Sequence, residues 1–350
     1  SANYGYNASS PDTKLHTFSG ILSNVGTNGV SSYYGTYDQN GNVAEWVEKD
    51  ILEMRDHQET VAGGSAFTPN SGTISPTGLR SIEFIDRSGA YDRVGFRIAS
   101  AYNMEDESFI ANTLNLDFVT VIDSNNVEDN TNLYLKDGDG YSLVSLDGLG
   151  VVDNFYRMGK YEITNSQYVE FLQAVAREND RDLYDSRMYS ETIGGIQQIE
   201  LMASDVDFDY AVKDHMAEKP VNFVSFISAV RFTNWLHNGA PTGVADADVD
   251  VTIDTGAYDV MPNDNSENSY VIAKKRYRKY WIPSINQWHK AAYFEPSASS
   301  VGTGISSSMF RRPDPYEVVE YTDGSLRGKI YIDDGSMLGK KFGEFKGFKK

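Results

Sequence analysis

One short stretch, residues 37–46, constrains the fold of this chain more than any other part of it. It reads YDQNGNVAEW, with acidic residues on both sides of an Asn-Gly turn and a Trp at its end. Gly41 can adopt positive φ, so the backbone can fold back and direct carbonyl groups inward. Trp46 is expected to enter the core and fix the turn. The simplest interpretation is a β-turn with two solvated acids and a core Trp.

The alternative interpretation of the same stretch is a site for a hard cation such as Ca²⁺, which prefers oxygen ligands on a tight turn. Asp38 and Glu45 would close on the ion from either side, with the main-chain oxygens of Gly41 and Val43 between them. The local sequence leaves both interpretations open.

The composition is that of a folded and strongly acidic protein. The chain has 350 residues, 40% of them hydrophobic, which is enough for one large domain or two smaller ones. Its formal net charge is −19, which argues against nucleic acid as a partner because phosphates need a basic face. No apolar run reaches the roughly 18 residues of a membrane span, so no membrane insertion is predicted. The first residues lack a basic and an apolar region, so no signal peptide is expected within the chain.

The chain contains no cysteine, which excludes disulfides, thiolate metal sites and cysteine nucleophiles within it. No Gly-rich phosphate loop or Ser/His/Asp triad is evident. None of the five histidines forms an H-x-x-x-H pair. His289 follows a predicted helix start and is interpreted as a helix-surface residue rather than a ligand.

Hydrophobic periodicity predicts a few short helices and strands. Helices are expected to begin after Thr164 or Asn165, after Ser225 and after Ser284, each of which is a favourable N-cap. Alternating apolar and polar residues predict strands over 94–99, 116–121, 155–163 and 329–332.

Two charged stretches follow the second predicted helix. Residues 239–270 contain several aspartates and are predicted to be a solvated surface loop. Residues 274–279 read KKRYRK and form a short basic run.

Seven short segments together resemble the formylglycine-generating enzyme family, also called the sulfatase-modifying-factor family. They are MGKYEITNSQY (158–168), PVNFVSF (220–226), FTNWL (232–236), WIPSINQWHKAA (281–292), GNVAEW (41–46), GGS (63–65) and VGFR (94–97). Each is weak alone, but together with their connecting loops they cover roughly 250 residues. The resemblance implies an α+β fold, a loop-rich variant of the C-type lectin fold with few short helices and a small antiparallel sheet.

The segments occur in a different order from the family's. The boundaries implied are 1–100 for the C-terminal half of the family fold, 101–115 for a linker, 116–300 for the N-terminal half and 301–350 for an extension. A circular permutation accounts for this order, and strands 94–99 and 116–122 are then expected to pair antiparallel. The alternative is a piece of a tandem array in which two chains exchange halves.

The resemblance implies one or two calcium sites. The family's calcium loop falls on Asp38, Gly41, Val43 and Glu45. A second site falls on the side chains of Asn3 and Asp12 with the carbonyl groups of Tyr4 and Lys14.

The catalytic residues of the family do not carry over. Its enzymes oxidise a substrate cysteine with copper held by two cysteines shortly after Gly-Gly-Ser. Those positions fall near Thr68 and Thr73 here, and hydroxyl groups do not bind copper(I) as soft thiolates do. Formation of an aldehyde by that mechanism is therefore excluded.

The first expected function is a non-catalytic, calcium-binding module of lectin-like fold. It would act extracellularly, on a cell surface or virus particle, in adhesion or structural assembly, and bind a glycan or protein ligand. Aromatic and arginine side chains are common binding anchors. The ligand-facing candidates are Phe67, Arg80, Phe84, Arg87, Tyr91 and Arg93.

Two other functions stay open. One is a metal-dependent oxidoreductase with non-cysteine chemistry on the same fold, for which His57, Glu83, Asp86 and Asp92 are the nearby candidates. The other is a lattice- or fibre-forming protein that forms homo-oligomers through residues 301–350.

Overall fold

Two segments of the chain, one on each side of residues 103–113, build the structure. The computed structural model describes residues 22–27, 31–49, 58–65, 81–102, 114–122, 126–129, 133–137, 140–202, 207–262 and 270–295, and the backbone of 309–310, 318–322 and 325–329. Within these ranges the protein is a mixed α+β structure with few short helices and small sheets, as predicted. No helix in them is long and apolar enough to cross a membrane.

The strands and helices of the described ranges are short. The strands are β1 (Ala44–Val47), β2 (Gln58–Ala62), β3 (Ser81–Asp86), β4 (Val94–Gly95), β5 (Ala99–Ala101), β6 (Phe118–Val121), β7 (Leu133–Asp137), β8 (Gly140–Val144), β9 (Tyr156–Gly159), β10 (Ile196–Glu200), β11 (Phe208–Val212), β12 (Tyr258–Pro262), β13 (Tyr270–Lys274), β14 (Tyr280–Trp281), β15 (Phe294–Glu295), β16 (Met309–Phe310), β17 (Val318–Thr322) and β18 (Ser325–Lys329). The helices are α1 (Asn165–Val175), α2 (Arg187–Ser190), α3 (Phe226–His237), α4 (Asp246–Asp254) and α5 (Ile285–Tyr293).

The three predicted helix starts are confirmed. Thr164 caps α1 and Ser284 caps α5, and in both cases a glutamine three residues later completes a capping box. The side chain of Ser225 caps α3 by accepting a hydrogen bond from the Ser228 amide. Local sequence therefore fixes where these helices begin.

The four-stranded antiparallel sheet joins the two segments. Its strand order is β14-β5-β9-β6, so β5 from the first segment lies between two strands of the second. Ala99 is paired with Met158 on one side and with Trp281 on the other. The predicted pairing of strands 94–99 and 116–122 is wrong, because β9 lies between β5 and β6 and pairs with both.

The larger sheet has six strands in the order β4-β1-β2-β3-β7-β8. It is mixed rather than antiparallel, since β1 pairs with β4, and β3 with β7, in parallel. The hairpin β7–β8 follows residues 103–113 in the chain and extends a sheet begun by the first segment. Both sheets therefore contain strands from both segments.

The hydrophobic core also joins the two segments. Phe96 of the first segment contacts Phe232 of α3 edge to face, with ring centroids 5.4 Å apart. Phe232 also packs on Phe171 of α1 at 5.4 Å. Trp46 is fully buried, and its Nε1 donates a hydrogen bond to the Val224 carbonyl oxygen at 2.9 Å. Residues of 31–102 thus pack on 150–295 within one chain, while the permutation relative to the family stays a prediction.

The acidic stretch 239–270 is more ordered than predicted. Its described part contains α4, β12 and the first residue of β13 instead of a loop. Val249 and Ile253, one helical turn apart, are the buried residues of α4. Asp250 and the exposed Val251 lie between them, so the sequence pattern does not show this two-residue buried face. The predicted strand 329–332 is reached only by Lys329 at the end of β18, and 330–332 lie outside the described residues.

Cleavage of the chain within residues 103–113, through an inserted protease site, should leave the two products associated. Core burial and the pairing of β5 with two strands hold them together without the covalent link. Size-exclusion chromatography should show one species until denaturant is added. Phe96→Ala, which removes about 3–5 kcal/mol of packing, should lower the denaturant concentration at which the products separate. Separation in native buffer would contradict this arrangement.

Glu59 on β2 should make stability depend on pH. Burial raises the pKa of Glu59 from 4.5 to about 7, although its carboxylate accepts a hydrogen bond from the Lys49 amide. The folded state therefore holds a proton that the unfolded state releases. The stabilisation that this proton uptake by Glu59 contributes is present in full below pH 4.5 and is lost as the pH rises through 7.

We expect Glu59→Gln to remove this dependence and to raise the free energy of unfolding at pH 8 by up to about 3 kcal/mol. Urea unfolding across the pH range measures it. Glu170→Gln, at an exposed position of α1, is the matched control and should leave the pH profile unchanged. A Glu59→Gln profile identical to that of the natural chain would refute the assignment.

Candidate functional site

The predicted ion loop lies at the buried centre of the structure. Gly41 has φ 105°, as the predicted turn requires, and Asp38 also has a positive φ of 60°. Asp38 is 8% exposed and Glu45 is fully buried. The interpretation as two solvated acids is therefore wrong.

Glu45 is bound to Arg97, which follows β4. The Arg97 Nε and Nη2 atoms donate to the two Glu45 carboxylate oxygens at 2.5 and 2.6 Å, and both side chains are completely buried. The indole Nε1 of Trp288 on α5 also donates to Glu45, at 2.9 Å. This bidentate geometry is the strongest form of a carboxylate–arginine pair.

The remaining Arg97 donors connect the two segments. Nη1 donates to the Gly159 carbonyl oxygen at 3.1 Å, at the end of β9, and Nη2 donates to the Tyr37 carbonyl oxygen at 2.8 Å. Burial alone would lower the pKa of Arg97, but the Glu45 carboxylate more than offsets this and the pKa is raised. Arg97 is therefore a cation that the fold surrounds with acceptors.

Two further carboxyl groups face this pair. Glu162 accepts hydrogen bonds from the Val43 amide at 3.1 Å and the Asn42 side chain at 2.9 Å. Burial, and then the charges of Asp38 and Glu45, raise the pKa of Glu162 well above its usual value. One oxygen of Asp38 accepts from the Gly26 amide at 2.5 Å, whereas the buried Oδ1 has no hydrogen-bond partner within the described structure. Burial raises the pKa of Asp38 as well.

The arrangement fits calcium only in part. Three carboxyl groups face one guanidinium, and this surplus of negative charge suits a cation or retained protons. Asp38 has an oxygen to offer, but both oxygens of Glu45 are bound to Arg97. Among the described residues, no three acidic or histidine side chains are arranged to hold a metal. The second predicted set, Asn3, Tyr4, Asp12 and Lys14, lies outside the described residues.

Sequence reasoning from local patterns missed Glu162 and Arg97. Both occur in segments that carry the family resemblance, YEITN and VGFR. A charged residue between apolar neighbours in each segment was the available signal. Each segment alone is typical of a half-buried strand, so its charged residue does not stand out.

The six predicted ligand residues divide into three groups. Phe67 and Arg80 lie outside the described residues. Phe84 packs against buried apolar residues rather than facing outward, and Arg87 donates to the Tyr270 carbonyl oxygen. Tyr91 and Arg93 come together on the surface, with the guanidinium 5.5 Å from the ring centroid.

A second arginine–aromatic pair lies beside the first. The Arg187 guanidinium lies 5.2 Å from the Phe223 ring centroid and donates to the Ala90 carbonyl oxygen at 2.8 Å. We call the exposed part of these pairs, Tyr91, Arg93 and Arg187, the aromatic–arginine ridge. Arg187 belongs to a helix distant in sequence, so spacing alone did not reveal it.

The backbone under the ridge is strained. Phe223 has φ 57°, which is rare for a bulky residue, and its amide donates to the Tyr91 carbonyl oxygen at 2.9 Å. The Asn222 side chain donates to the Asp92 carbonyl oxygen at 2.8 Å, while its own buried Oδ1 has no partner within the described structure. Strain and unsatisfied polar atoms of this kind concentrate at functional sites.

The predicted acid–base candidates are engaged in structural contacts. Glu83 pairs with Arg93 at 3.0 Å and with Lys136 at 3.2 Å. Asp86 accepts two hydrogen bonds from Ser88 in the turn that follows β3. Asp92 is exposed, and its carboxylate lies 3.9 Å from Arg93. His57, Thr68 and Thr73 lie outside the described residues.

The prediction that His289 lies on the helix surface is wrong. Its side chain is 1% exposed, and Nε2 lies 2.8 Å from Asp129 Oδ2. The following Lys290 is also buried and donates to the Val152 carbonyl oxygen at 3.1 Å. Residues from the stretch around 126–152 cover this face of α5, which the helix periodicity alone could not show.

A cavity of about 230 Å³ opens beside Glu162, between β6, β9 and the start of α1. Its lining includes the acidic residues Asp117, Glu162 and Glu218, and no basic residue. Electrostatics favours cations over anions there.

Removing either member of the Arg97–Glu45 pair should destabilise the fold strongly. We expect Arg97→Met and Glu45→Gln each to lower the free energy of unfolding by about 3–5 kcal/mol, because each leaves the other charge buried and unpaired. The double variant should lose less than the sum. Urea unfolding of the four proteins gives the coupling energy.

The partly exposed pair Arg93–Glu83 provides the control. Glu83→Gln should cost less than about 1 kcal/mol. Additive losses at Arg97 and Glu45 would contradict a coupled buried pair.

Comparison with known families identifies the second segment. Residues 150–305 match the model of the family described as Sulfatase-modifying factor enzyme 1-like domain. No curated protein and no solved structure matches the chain significantly. The matched range contains all five described helices, β9 to β15, and Glu162 of the buried centre. Over residues 150–305, a little under half of its length, the chain is therefore similar to sulfatase-modifying factor enzyme 1-like domains.

Proposed function

We propose that this chain is a non-catalytic binding module on the sulfatase-modifying-factor fold, and that its aromatic–arginine ridge contacts a glycan or protein ligand. The proposal places it outside the cell, on a cell surface or a virus particle. The observation that carries it is the strained, multiply anchored backbone that presents Tyr91, Arg93 and Arg187.

The chemistry of the chain supports a role without thiol catalysis. Copper-dependent oxidation of a cysteine needs soft thiolate ligands in the enzyme. None of the 350 residues is a cysteine. The family reaction, as the resemblance describes it, has no ligands for its metal in this chain.

The backbone anchors make the ridge a preformed surface. The Phe226 amide donates to the Arg87 carbonyl oxygen at 3.0 Å, and the Ala44 amide donates to the Arg93 carbonyl oxygen at 2.8 Å. With the bonds from Phe223, Asn222 and Arg187, five hydrogen bonds to backbone carbonyl groups hold residues 87–93 from outside. A surface fixed in this way loses little conformational entropy when a ligand binds.

The exposed groups of the ridge define the ligand chemistry. The side chains of Arg93 and Arg187 are 27% and 47% exposed, and they pair with Glu83 and Asp185. A ligand would compete with these carboxylates for the planar N–H donors. Tyr91 adds a half-buried ring. Such a surface suits a ligand with carboxylate or hydroxyl acceptors beside a flat apolar face, and both anionic glycans and acidic peptides provide these.

Calcium belongs to the proposal as a structural ion. Asp38, with the carbonyl groups of Gly41 and Val43, would hold it, while Glu45 stays on Arg97. When bound, the ion would offset the surplus of carboxylate charge at the centre. The Asp38 Oδ1 atom, which has no hydrogen-bond partner within the described residues, supports this assignment. Asn3, Tyr4, Asp12 and Lys14 would form a second site.

The binding surface can be tested on immobilised glycans and on captured candidate ligands. We expect the double variant Arg93→Ala/Arg187→Ala to bind at least about tenfold more weakly, as for loss of interface anchors, with an unchanged melting temperature. Arg177→Ala, at another partly exposed arginine, is the matched control. Binding that survives the double variant would remove the ridge from the proposal.

Metal content separates the module from an enzyme. Elemental analysis should find calcium and no stoichiometric transition metal. Added calcium should raise the melting temperature, and Asp38→Asn should abolish most of that rise. A bound transition metal would favour the metal-dependent oxidoreductase instead, and a rise that survives in Asp38→Asn would place the ion elsewhere.

A further inference from the structure

The basic run 274–279 is an exposed cationic loop on an otherwise acidic protein. It holds five basic residues and Tyr277 in a chain of net charge −19. It connects β13 to β14. None of its residues belongs to the aromatic–arginine ridge.

One buried carboxylate anchors both ends of the loop. Glu48, whose side chain is 3% exposed, pairs with Lys274 at 3.0 Å and with Arg278 at 2.5 Å. Arg278 turns inward, with its guanidinium over the rings of Tyr258 and Trp281. The Lys279 amide donates to His237 Nδ1 at 3.1 Å. These contacts therefore hold the loop in one conformation.

The anchoring leaves three side chains directed outward. Tyr277 is 81% exposed, the largest exposed fraction of any aromatic residue in the described ranges. The Arg276 guanidinium lies 5.5 Å from the Tyr277 ring centroid. Within the described ranges neither Arg276 nor Lys279 forms an ion pair, whereas Lys275 pairs with Asp259 at 2.8 Å.

An apolar strip continues from the loop along β12 and β13. Met261 and Val271 are directly paired across these strands and are 46% and 47% exposed. Tyr270 and Ile272 alternate with Val271 and pack on the core. Side chains alternate along a strand, so residues 271, 273 and 275 lie on one outward face that leads to Tyr277.

We propose that this outward face is a docking surface for an acidic segment of a partner protein. We call it the basic hairpin face, and it consists of Met261, Val271, Lys275, Arg276, Tyr277 and Lys279. Arg276 and Lys279 would pair with carboxylates of the segment. Tyr277 with the Met261–Val271 pair would cover an apolar side chain beside those carboxylates.

The composition and rigidity of the face support a protein partner. Tyr, Met and Arg are the residues enriched at protein interfaces, and here all three occur on one preformed surface. An anchored loop loses little entropy on binding, so a few contacts suffice.

The charge distribution favours a short acidic segment over larger polyanions. Arg276 and Lys279, which form no ion pair within the described residues, act within a Debye length of about 8 Å at physiological salt, while the chain as a whole is acidic. Nucleic acid binding needs an extended basic groove that tracks the phosphates. A second copy of this chain would bring the same large negative charge.

Fluorescence anisotropy with a short labelled peptide tests the proposal. The probe contains Asp and Glu residues around one Phe, and its matched control carries Asn and Gln in place of the acids. We expect the acidic probe to bind and the amide probe to bind at least about tenfold more weakly, with affinity falling as salt rises.

Variants assign the binding to the face. Arg276→Glu/Lys279→Glu should lower the affinity for the acidic probe at least about tenfold. Tyr277→Ala should also lower this affinity but leave its dependence on salt concentration unchanged. Both change exposed side chains, and unchanged melting temperatures will show that the fold is intact. The ridge variant Arg93→Ala/Arg187→Ala should bind the acidic probe normally, so this result and the ridge result are independent.

Three outcomes would overturn the proposal. The first is no binding of the acidic probe by the natural chain, and the second is equal binding by the charge-reversed variant. The third is tighter binding of a single-stranded oligonucleotide or an oligouronate than of the peptide, which would assign the face to a different class of partner.

Discussion

The buried pair between Arg97 and Glu45 is the interaction on which the rest of the structure depends. A completely desolvated guanidinium is costly unless acceptors surround it, and the fold supplies them from several directions. Glu45 comes from β1, one carbonyl group from the turn before it, and another from the end of β9. The six-stranded sheet, the four-stranded sheet and α5 therefore all contact the Arg97–Glu45 pair. This explains how a chain without disulfides holds so many short elements in one arrangement.

Elements whose signals are local could be predicted from the sequence. The capping boxes at Thr164 and Ser284 fixed two helix starts, because a cap and its glutamine are neighbours in the chain. Residues whose environment is built by distant parts could not be placed. His289 is predicted to lie on the surface because the loop that covers it has no local signature. The sequence does not predict α4 because only two of its four apolar residues are buried and aspartates alternate with them.

The candidate site shows the same division. Tyr91 and Arg93 were found because they are close in sequence and chemically typical of binding surfaces. Arg187 lies about a hundred residues away, and the strained backbone at Phe223 has no sequence signal, since phenylalanine rarely adopts positive φ. Asp38 and Glu45 were recognised as a pair, but the cation that compensates Glu45 is an arginine of the same chain. The partner of a buried charge is a property of the fold.

The position of β5 has a consequence for biosynthesis. This strand is synthesised before both of its partners, and it completes its pairing only when β9 and then β14 have been made, the latter about 180 residues later. Until then the nascent chain carries an unpaired strand whose apolar neighbours are exposed. Such edges promote aggregation, and contacts of this sequence separation slow folding. A cell that produces this protein therefore has to keep β5 from aggregating until β14 has been made.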